Sequence, residues 1–193
     1  MSRKARSTVP DPTFRWYDAT AARATRDTVA LVHRESYVDR IKSGDPFYTV
    51  EAFMKRFDAY TSRDGFDLVI AFIDGEPVGQ AWGWALRPDS AWWHGLVGEV
   101  EPEFTKEDGK RTFALSEIMV RRAYTGQGIA HALHDQLLGH RHEARATLLV
   151  NPANKTAYRA YLRWGWQKVA QLRPDWPDAP LFDVLILPLP AGG

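Results

Sequence analysis

The residues best suited to chemistry form a glycine-rich turn. Gly126 and Gly128 flank Gln127, between an apolar run over 113–120 and a helical pattern over 129–139. The first N–H groups of a helix have no partner inside it, and with the helix dipole they attract anions. Glycine lets a phosphate approach the backbone without meeting a Cβ. The turn therefore predicts a phosphate or diphosphate site.

The turn alone does not identify a ligand. It lacks the Lys-Ser/Thr pair of a P-loop and the third glycine of a dinucleotide-binding fingerprint. The same glycines also suit a tight strand-to-helix turn that binds nothing. The interpretation therefore depends on a second segment.

That second segment is a helix predicted over 155–164. Asn154 suits its N-cap and Gly165 its C′ position, so the sequence marks both ends of the helix. Tyr161 follows Asn154 by two helical turns and therefore lies on about the same face.

Together the two segments resemble the acyl-CoA-binding half of the GNAT superfamily of N-acetyltransferases. The family's phosphate turn reads Gln or Arg, any two residues, Gly, any residue, and Gly or Ala, and that register runs here over 125–130. The later family signature, Asn, Ala, Tyr and Gly-Phe, is matched by Asn154, Ala157, Tyr161, Gly165 and Trp166. The resemblance covers residues 113–187 and extends by element order to the segments before them.

The resemblance implies an α/β fold with a mixed sheet of six or seven strands, splayed at its centre and flanked by helices. It implies acetyl-CoA as co-substrate, with the pantetheine arm in the splay and the pyrophosphate on the turn. The implied cofactor-binding residues are Met119, Val120, Thr125, Gly126, Gln127, Gly128, Ile129, Ala130 and Asn154. Thr125 stands where the family has Arg or Gln, which reduces one phosphate contact to a hydroxyl. The side chains that could compensate are Arg121, Arg122 and Gln127.

The implied reaction transfers an acetyl or short acyl group from CoA to a primary amine. An alkylammonium with a pKa of about 10 must lose a proton before it attacks, so a base or a water chain is needed. The chain has no cysteine, which excludes an acyl-cysteine intermediate and favours direct attack in a ternary complex. A catalytically silent acyl-CoA sensor is the alternative function.

Two side chains are candidates for the proton transfers. In the family the tyrosine that matches Tyr161 lies close to the CoA sulfur, where a phenol can donate to the departing thiolate. The alternative role for Tyr161 is core packing. Glu117 is the candidate base, because it lies on the strand that reaches the acetyl group and alternation turns it away from Val120. A solvated or ion-paired glutamate is the alternative, and competing carboxylates are Glu99, Glu101 and Glu103.

The tryptophans divide into two pairs. Trp82 and Trp84 share one strand face, which is typical of core packing. Trp92 and Trp93 lie in a long irregular segment, where they could contact the amine, form a lid or make a subunit contact in a homodimer. The histidines of the helix over 129–139 lack the pattern of a metal site, so no metal is predicted.

The elements that position these residues follow from periodicity. Two helical patterns come first, one capped by Thr25 or Asp27 and one starting at Thr49. Apolar runs over 66–72 and 78–86, joined by Asp74-Gly75, predict a β-hairpin. A long excursion over 90–110 precedes the strand that leads to the glycine turn. The later strands are predicted over 147–150, 167–172 and 182–187.

Composition favours one domain over 13–193, preceded by a flexible arm over 1–12. The 25 basic and 24 acidic residues give a net charge of +1, which provides no field to draw the chain to nucleic acid or an anionic membrane. A nucleic-acid-binding module on a helix over 129–142 is therefore disfavoured. The absence of cysteine and of a long apolar run predicts a cytoplasmic protein. The amine, a small molecule or a protein, stays open.

Overall fold

A single mixed sheet forms the centre of the fold. The computed structural model describes residues 10–175 and 178–190. Its strands are β1 (Thr13–Asp18), β2 (Asp67–Ile73), β3 (Glu76–Ala85), β4 (Leu96–Val97), β5 (Thr112–Val120), β6 (Arg145–Val150), β7 (Gln167–Leu172) and β8 (Phe182–Pro188). Within the described residues they form one eight-stranded sheet in the order β1-β2-β3-β5-β6-β8-β7-β4. The predicted mixed α/β sheet is confirmed, but the predicted count of six or seven strands is too low.

The unpredicted strands, β1 and β4, lie at the two edges of the sheet. β1 pairs antiparallel with β2 along its whole length, and most of its side chains are exposed, so its sequence shows no apolar alternation. β4 lies inside the segment predicted as an excursion, where its two residues pair with Leu172 and Gln171. Both strands depend on a neighbouring strand rather than on their own periodicity, which explains why the local sequence does not reveal them.

The β2–β3 hairpin forms at the predicted place. Asp74 and Gly75 have positive φ angles of 49° and 82°, as a two-residue turn between twisted strands requires. β3 then pairs antiparallel with β5, so the hairpin lies directly beside the strand that leads to the glycine turn.

Six α-helices lie in the described part of the chain. They are α1 (Ala19–Ala24), α2 (Arg26–Ser36), α3 (Val38–Lys42), α4 (Val50–Tyr60), α5 (Ile129–Leu138) and α6 (Lys155–Arg163). The first predicted helix is interrupted at Tyr37, whose φ and ψ of −109° and 31° separate α2 from α3. α4 begins one residue after the predicted start, and Thr49 is its N-cap, since its hydroxyl accepts from the Ala52 N–H at 3.2 Å.

The helices cover both faces of the sheet. On one side, here called the α2/α4 face, Phe53 and Phe57 of α4 are buried against Trp82 of β3. On the other side, here called the α5/α6 face, Leu133 of α5 is buried in a cluster that includes Trp166. The sheet therefore separates two hydrophobic cores.

The predicted splay lies between β5 and β6. These parallel strands pair only where residues 112–114 meet residues 145–147. β5 stays paired with β3 as far as Val120, so beyond the first three residues one side of β5 is open toward β6. We call this opening the β5–β6 gap.

No helix among the described residues has both the length and the apolarity needed to cross a bilayer. Of the arm predicted over 1–12, residues 1–9 lie outside the described residues, and residues 10–12 have neither helix nor strand.

Candidate active site

A β-bulge in β5 sets the direction of the Glu117 side chain. Trp82 is opposite Glu117 while the next residue of β3 is opposite Leu115, so Ser116 has no partner of its own. Before the bulge Leu115 packs on the α5/α6 face, whereas after it Met119 packs on the α2/α4 face. The extra residue thus reverses the alternation and turns Glu117 toward the α2/α4 face.

Glu117 lies in a poorly solvated position. It is partly buried, and within the described residues no ion pair to it is formed. Burial raises the pKa of Glu117 from 4.5 to about 7, and the positive charge of Arg56 on α4 opposes part of that rise. A carboxyl group with a pKa near the working pH is well suited to accept a proton.

Tyrosines from the helical side surround Glu117. Tyr37 separates α2 from α3, and its ring centroid lies 5.1 Å from that of Tyr48 in the following 3₁₀ turn. Tyr60, in the last turn of α4, stacks on Trp84 at 4.5 Å. Burial, and next the Glu117 carboxylate, raise the pKa values of Tyr37 and Tyr60. We call the group formed by Tyr37, Tyr48, Arg56, Tyr60 and Glu117 the tyrosine recess.

Sequence reasoning missed the recess. The pattern treats Tyr37 and Tyr60 as apolar positions on helices, and Arg56 as one of many arginines. Only the packing of α4 on the sheet brings these residues to Glu117, and no local signal reports that packing. The one signal in the sequence is that Tyr37 and Tyr60 place hydroxyl groups at helix positions that are otherwise apolar.

Tyr161 reaches the same place from the other face of the sheet. On α6 its ring lies edge-on to Trp164 at 5.5 Å and to Trp166 at 6.0 Å. Burial, and next the Glu117 carboxylate, raise the pKa of Tyr161. Tyr161 also contributes to raising the pKa of Tyr37. The two predicted proton-transfer residues are therefore electrostatic neighbours at the β5–β6 gap.

Met119 and Val120 end β5 at the gap. Toward β3 they are opposite Gln80 and Gly79, whereas on the other side β6 has already diverged. Every second residue of a strand points its N–H and C=O to the same side, so this stretch offers backbone groups to the gap. An extended polar chain such as pantetheine fits this arrangement.

The glycine turn leaves backbone donors open. Gly126 and Gly128 have φ angles of 77° and 81°, and a Cβ on either would meet no atom within 4 Å. Gly128 is the N-cap of α5 and provides no side-chain cap. In the described part of the chain, no backbone acceptor outside the helix bonds the N–H groups of residues 126–130. These donors, at the positive end of a helix, fit a phosphate group.

Most side chains around the turn already have partners. The Thr125 hydroxyl donates to the Arg122 carbonyl at 3.0 Å. Arg122 Nη1 donates to both carboxylate oxygens of Asp39, at 2.8 and 2.9 Å, and Arg121 donates to a β3 carbonyl at 2.9 Å. Among the three candidates to compensate for Thr125, Gln127 alone is exposed with no hydrogen bond to the described residues.

The Acetyltransferase (GNAT) family model matches residues 34–166, which is more than half of the chain. The chain belongs to the GNAT acetyltransferase family.

Solved structures with the same fold are distant in sequence. The ribosomal-protein-S18-alanine N-acetyltransferase of Escherichia coli matches with a TM-score of 0.60 and 15% identity, over 95% of this chain and 97% of that one. An acetyltransferase from Thermus thermophilus matches with a TM-score of 0.64 and 14% identity, over 94% and 99%. PaiA N-acetyltransferase from Thermoplasma acidophilum, in complex with coenzyme A, matches with a TM-score of 0.56 and 14% identity, over 93% and 99%. A search of curated protein sequences finds no match. At these identities the neighbours show the GNAT fold and not the acceptor.

In this GNAT chain Asn154 is the N-cap of α6, as predicted. Its Oδ1 accepts from the Ala157 N–H at 3.3 Å. Ile129 buries its side chain on the α5/α6 face, and Ala130 follows it in the first turn of α5. Contacts of these three residues with CoA stay predictions.

The two tryptophans of the long excursion have different environments. Trp93 is buried, and its Nε1 donates to Glu107 at 3.0 Å, so it is a core residue of the GNAT domain. Trp92 is partly buried and lies edge-on to Trp84 at 5.9 Å. The Trp84 ring in turn stacks on Tyr60. Contact of Trp92 with the amine stays a prediction, as do the lid and the subunit contact. The competing carboxylates Glu99, Glu101 and Glu103 are exposed and do not contribute to the pKa shift of Tyr161.

Three potential metal ligands lie close together on α5. One ligand atom each from His131, His134 and Asp135 lies within 4.8 Å of the others. His134 Nδ1 pairs with Asp135 Oδ1 at 2.8 Å, and its Nε2 lies 3.0 Å from the Trp166 Nε1. An indole N–H can only donate, so Nε2 is the acceptor and Nδ1 carries the proton. Metal binding by His134 would therefore break an existing hydrogen bond.

Proposed function

We propose that this GNAT chain is an N-acetyltransferase that moves an acetyl group from acetyl-CoA to a primary amine by direct attack in a ternary complex. The observation that carries the proposal is the position of Glu117 and Tyr161 on either side of the β5–β6 gap. The strand that borders this gap leads, through a 3₁₀ turn over Arg122–Tyr124, to the glycine turn with its open N–H groups. The donor site and Glu117 thus lie along one strand, and Tyr161 of α6 lies across the gap from that strand.

Each residue has a definite task in this scheme. The glycine turn binds the pyrophosphate, and the β5 backbone orients the pantetheine arm. The thioester supplies the carbonyl carbon that the amine attacks. Glu117 first takes a proton from the incoming ammonium, a role suited to a carboxyl whose pKa burial raises to about 7.

The proton balance then closes through Tyr161. The C–N bond forms, the C–S bond breaks, and Tyr161 donates its proton to the departing sulfur. A tyrosine phenolate is a stronger base than a thiolate, and the raised pKa of Tyr161 increases this difference. The Tyr161 phenolate therefore takes up the proton that the nitrogen loses as it becomes an amide. Glu117 releases the remaining proton to solvent.

The test combines binding with turnover. Calorimetry with CoA measures the donor site, while release of the CoA thiol and the mass of the acetylated product are followed with a panel of primary amines. We expect CoA binding together with turnover of at least one amine. Binding of CoA without turnover of any amine would favour the acyl-CoA sensor instead.

A further inference from the structure

Arg56 is the basic side chain of the tyrosine recess. Its Nη1 donates to the Phe47 carbonyl at 3.0 Å. Its guanidinium carbon lies 3.9 Å from the centre of the Phe47 ring and 5.9 Å from that of Phe53. One carbonyl and two rings thus hold the guanidinium in place, and none of them neutralises its charge.

The donor capacity of Arg56 is largely unused. In the part of the chain that the structure describes, no carboxylate pairs with Arg56, and its buried Nε has no hydrogen-bond partner. A buried donor without a partner costs free energy. A guanidinium presents its N–H groups as a planar fork that matches the two oxygens of a carboxylate. The unpaired guanidinium of Arg56 is therefore chemically suited to a carboxylate.

The Arg56 guanidinium lies close to Glu117. Arg56 is one helical turn from Phe53, whose ring centroid lies 5.4 Å from that of Trp82. Trp82 is the cross-strand neighbour of Glu117. The charge of Arg56 also lowers the pKa of Glu117, which agrees with this proximity.

Two further arginines lie over aromatic rings at the recess. Arg40 lies over the Tyr48 ring at 5.5 Å, and Arg63 lies over the Trp84 ring at 5.8 Å. On the neighbouring helices Asp39 pairs with Arg122 and Asp58 pairs with Arg26. Within the described residues Asp27, Glu35 and Glu51 on α2 and α4 form no ion pair. Arg40 and Arg63, together with Arg56, favour an acceptor with an anionic group over a polycation.

We propose that the acceptor is an amino carboxylate of the α-amino acid class, with its amine at Glu117 and its carboxylate on the fork of Arg56. This inference rests on the proposed acetyltransfer reaction and names its substrate class. It excludes polyamines and polycationic antibiotics as preferred acceptors, because they would bring positive charge against Arg56.

The test compares matched acceptors on the unmodified protein. Rates of acetyl-CoA turnover are measured with leucine and leucinamide, with phenylalanine and phenylalaninamide, and with spermidine. Amidation also lowers the pKa of the amine, so kcat/KM is expressed per concentration of neutral amine. We expect each acid to exceed its amide by about 10-fold or more, as the loss of a charge-assisted bidentate pair predicts.

Variants on α4 test whether Arg56 causes the preference for acids over amides. R56Q should reduce the acid-to-amide ratio to within about threefold, chiefly through KM for the acid, and R56K should fall between R56Q and the parent, since a single ammonium cannot form the fork. K55Q removes one positive charge from an exposed position on the same helix and should leave the ratio unchanged.

Each outcome is decisive. A preference for the amides or spermidine on the unmodified protein overturns the amino carboxylate and leaves the acetyltransfer function standing, and it needs no folded variant. If R56Q lowers kcat/KM equally for the acids and the amides, Arg56 affects only the pKa of Glu117 or the folding of the protein, and the carboxylate contact is overturned. CoA binding without turnover of any acceptor would overturn the proposed function, and the inference with it.

Discussion

The Glu117 side chain on β5 points to the α2/α4 face of the sheet and Tyr161 on α6 lies on the other face, yet the two interact where β5 and β6 separate after three paired residues. Burial places the pKa of Glu117 at about 7, while burial and the Glu117 carboxylate raise the pKa of Tyr161. At neutral pH one group can therefore accept a proton while the other still holds one. Two neighbouring groups whose pKa values are pushed apart are the usual basis of an acid–base pair.

Replacing Tyr161 by Phe tests the acid. The ring and its contacts with Trp164 and Trp166 remain, whereas the proton donor is lost. We expect kcat to fall by about 100-fold or more, with the Kd for CoA changed by less than about threefold. Tyr158→Phe is the matched control, because it removes a phenol on the same helix whose hydroxyl donates to Asp183 at 2.8 Å. Unchanged turnover in Tyr161→Phe would remove the residue from the mechanism.

Replacing Glu117 by Gln tests the base through the pH profile. Because Glu117 takes its proton from the ammonium, wild-type kcat/KM should level off above about pH 7, whereas the variant needs neutral amine and its kcat/KM should keep rising toward the amine pKa of about 10. The ratio of wild-type to variant kcat/KM should therefore be flat at low pH and fall about 10-fold per pH unit above about pH 7. Glu99→Gln, at an exposed site, should leave the wild-type profile intact. A ratio that stays flat up to about pH 9 would mean that another group takes the proton.

The same substitution has an effect on stability with a definite sign. The pKa of Glu117 is raised from 4.5 to about 7, so between these values the folded protein holds a proton that the unfolded chain has lost. The free energy of unfolding of the wild type therefore falls as pH rises through this window. The free energy of unfolding of Glu117→Gln does not fall in this way, so relative to the wild type it should rise by about 3 kcal/mol between about pH 4.5 and pH 8. Urea unfolding at the two pH values measures the difference, and a constant difference would contradict the shifted pKa.

Sequence information predicted the donor half of the site better than the acceptor half for a physical reason. The turn at Gly126 and the cap at Asn154 are local features, set by neighbouring residues and helix geometry. The hairpin at Asp74 is local in the same way. The tyrosine recess depends on how α4 packs against β5, and the direction of Glu117 depends on a bulge at Ser116 that pairing with β3 creates. Neither has a signature within one segment of chain.

Comparing Gly128→Ala with Gly75→Ala separates the effect of backbone strain from the effect of lost phosphate contact. Gly128 in the turn and Gly75 in the β2–β3 hairpin have φ angles of 81° and 82°, and a Cβ on either meets no atom within 4 Å. Alanine at each position should therefore cost a similar free energy of unfolding, about 1 kcal/mol, from the left-handed backbone alone. Only Gly128→Ala also places a methyl group where the phosphate would approach, so its Kd for CoA should rise by about 10-fold or more while Gly75→Ala binds as the wild type does. Calorimetric titration with CoA, beside urea unfolding of both variants, checks the two effects separately. Equal CoA affinity in the two variants would place the pyrophosphate elsewhere.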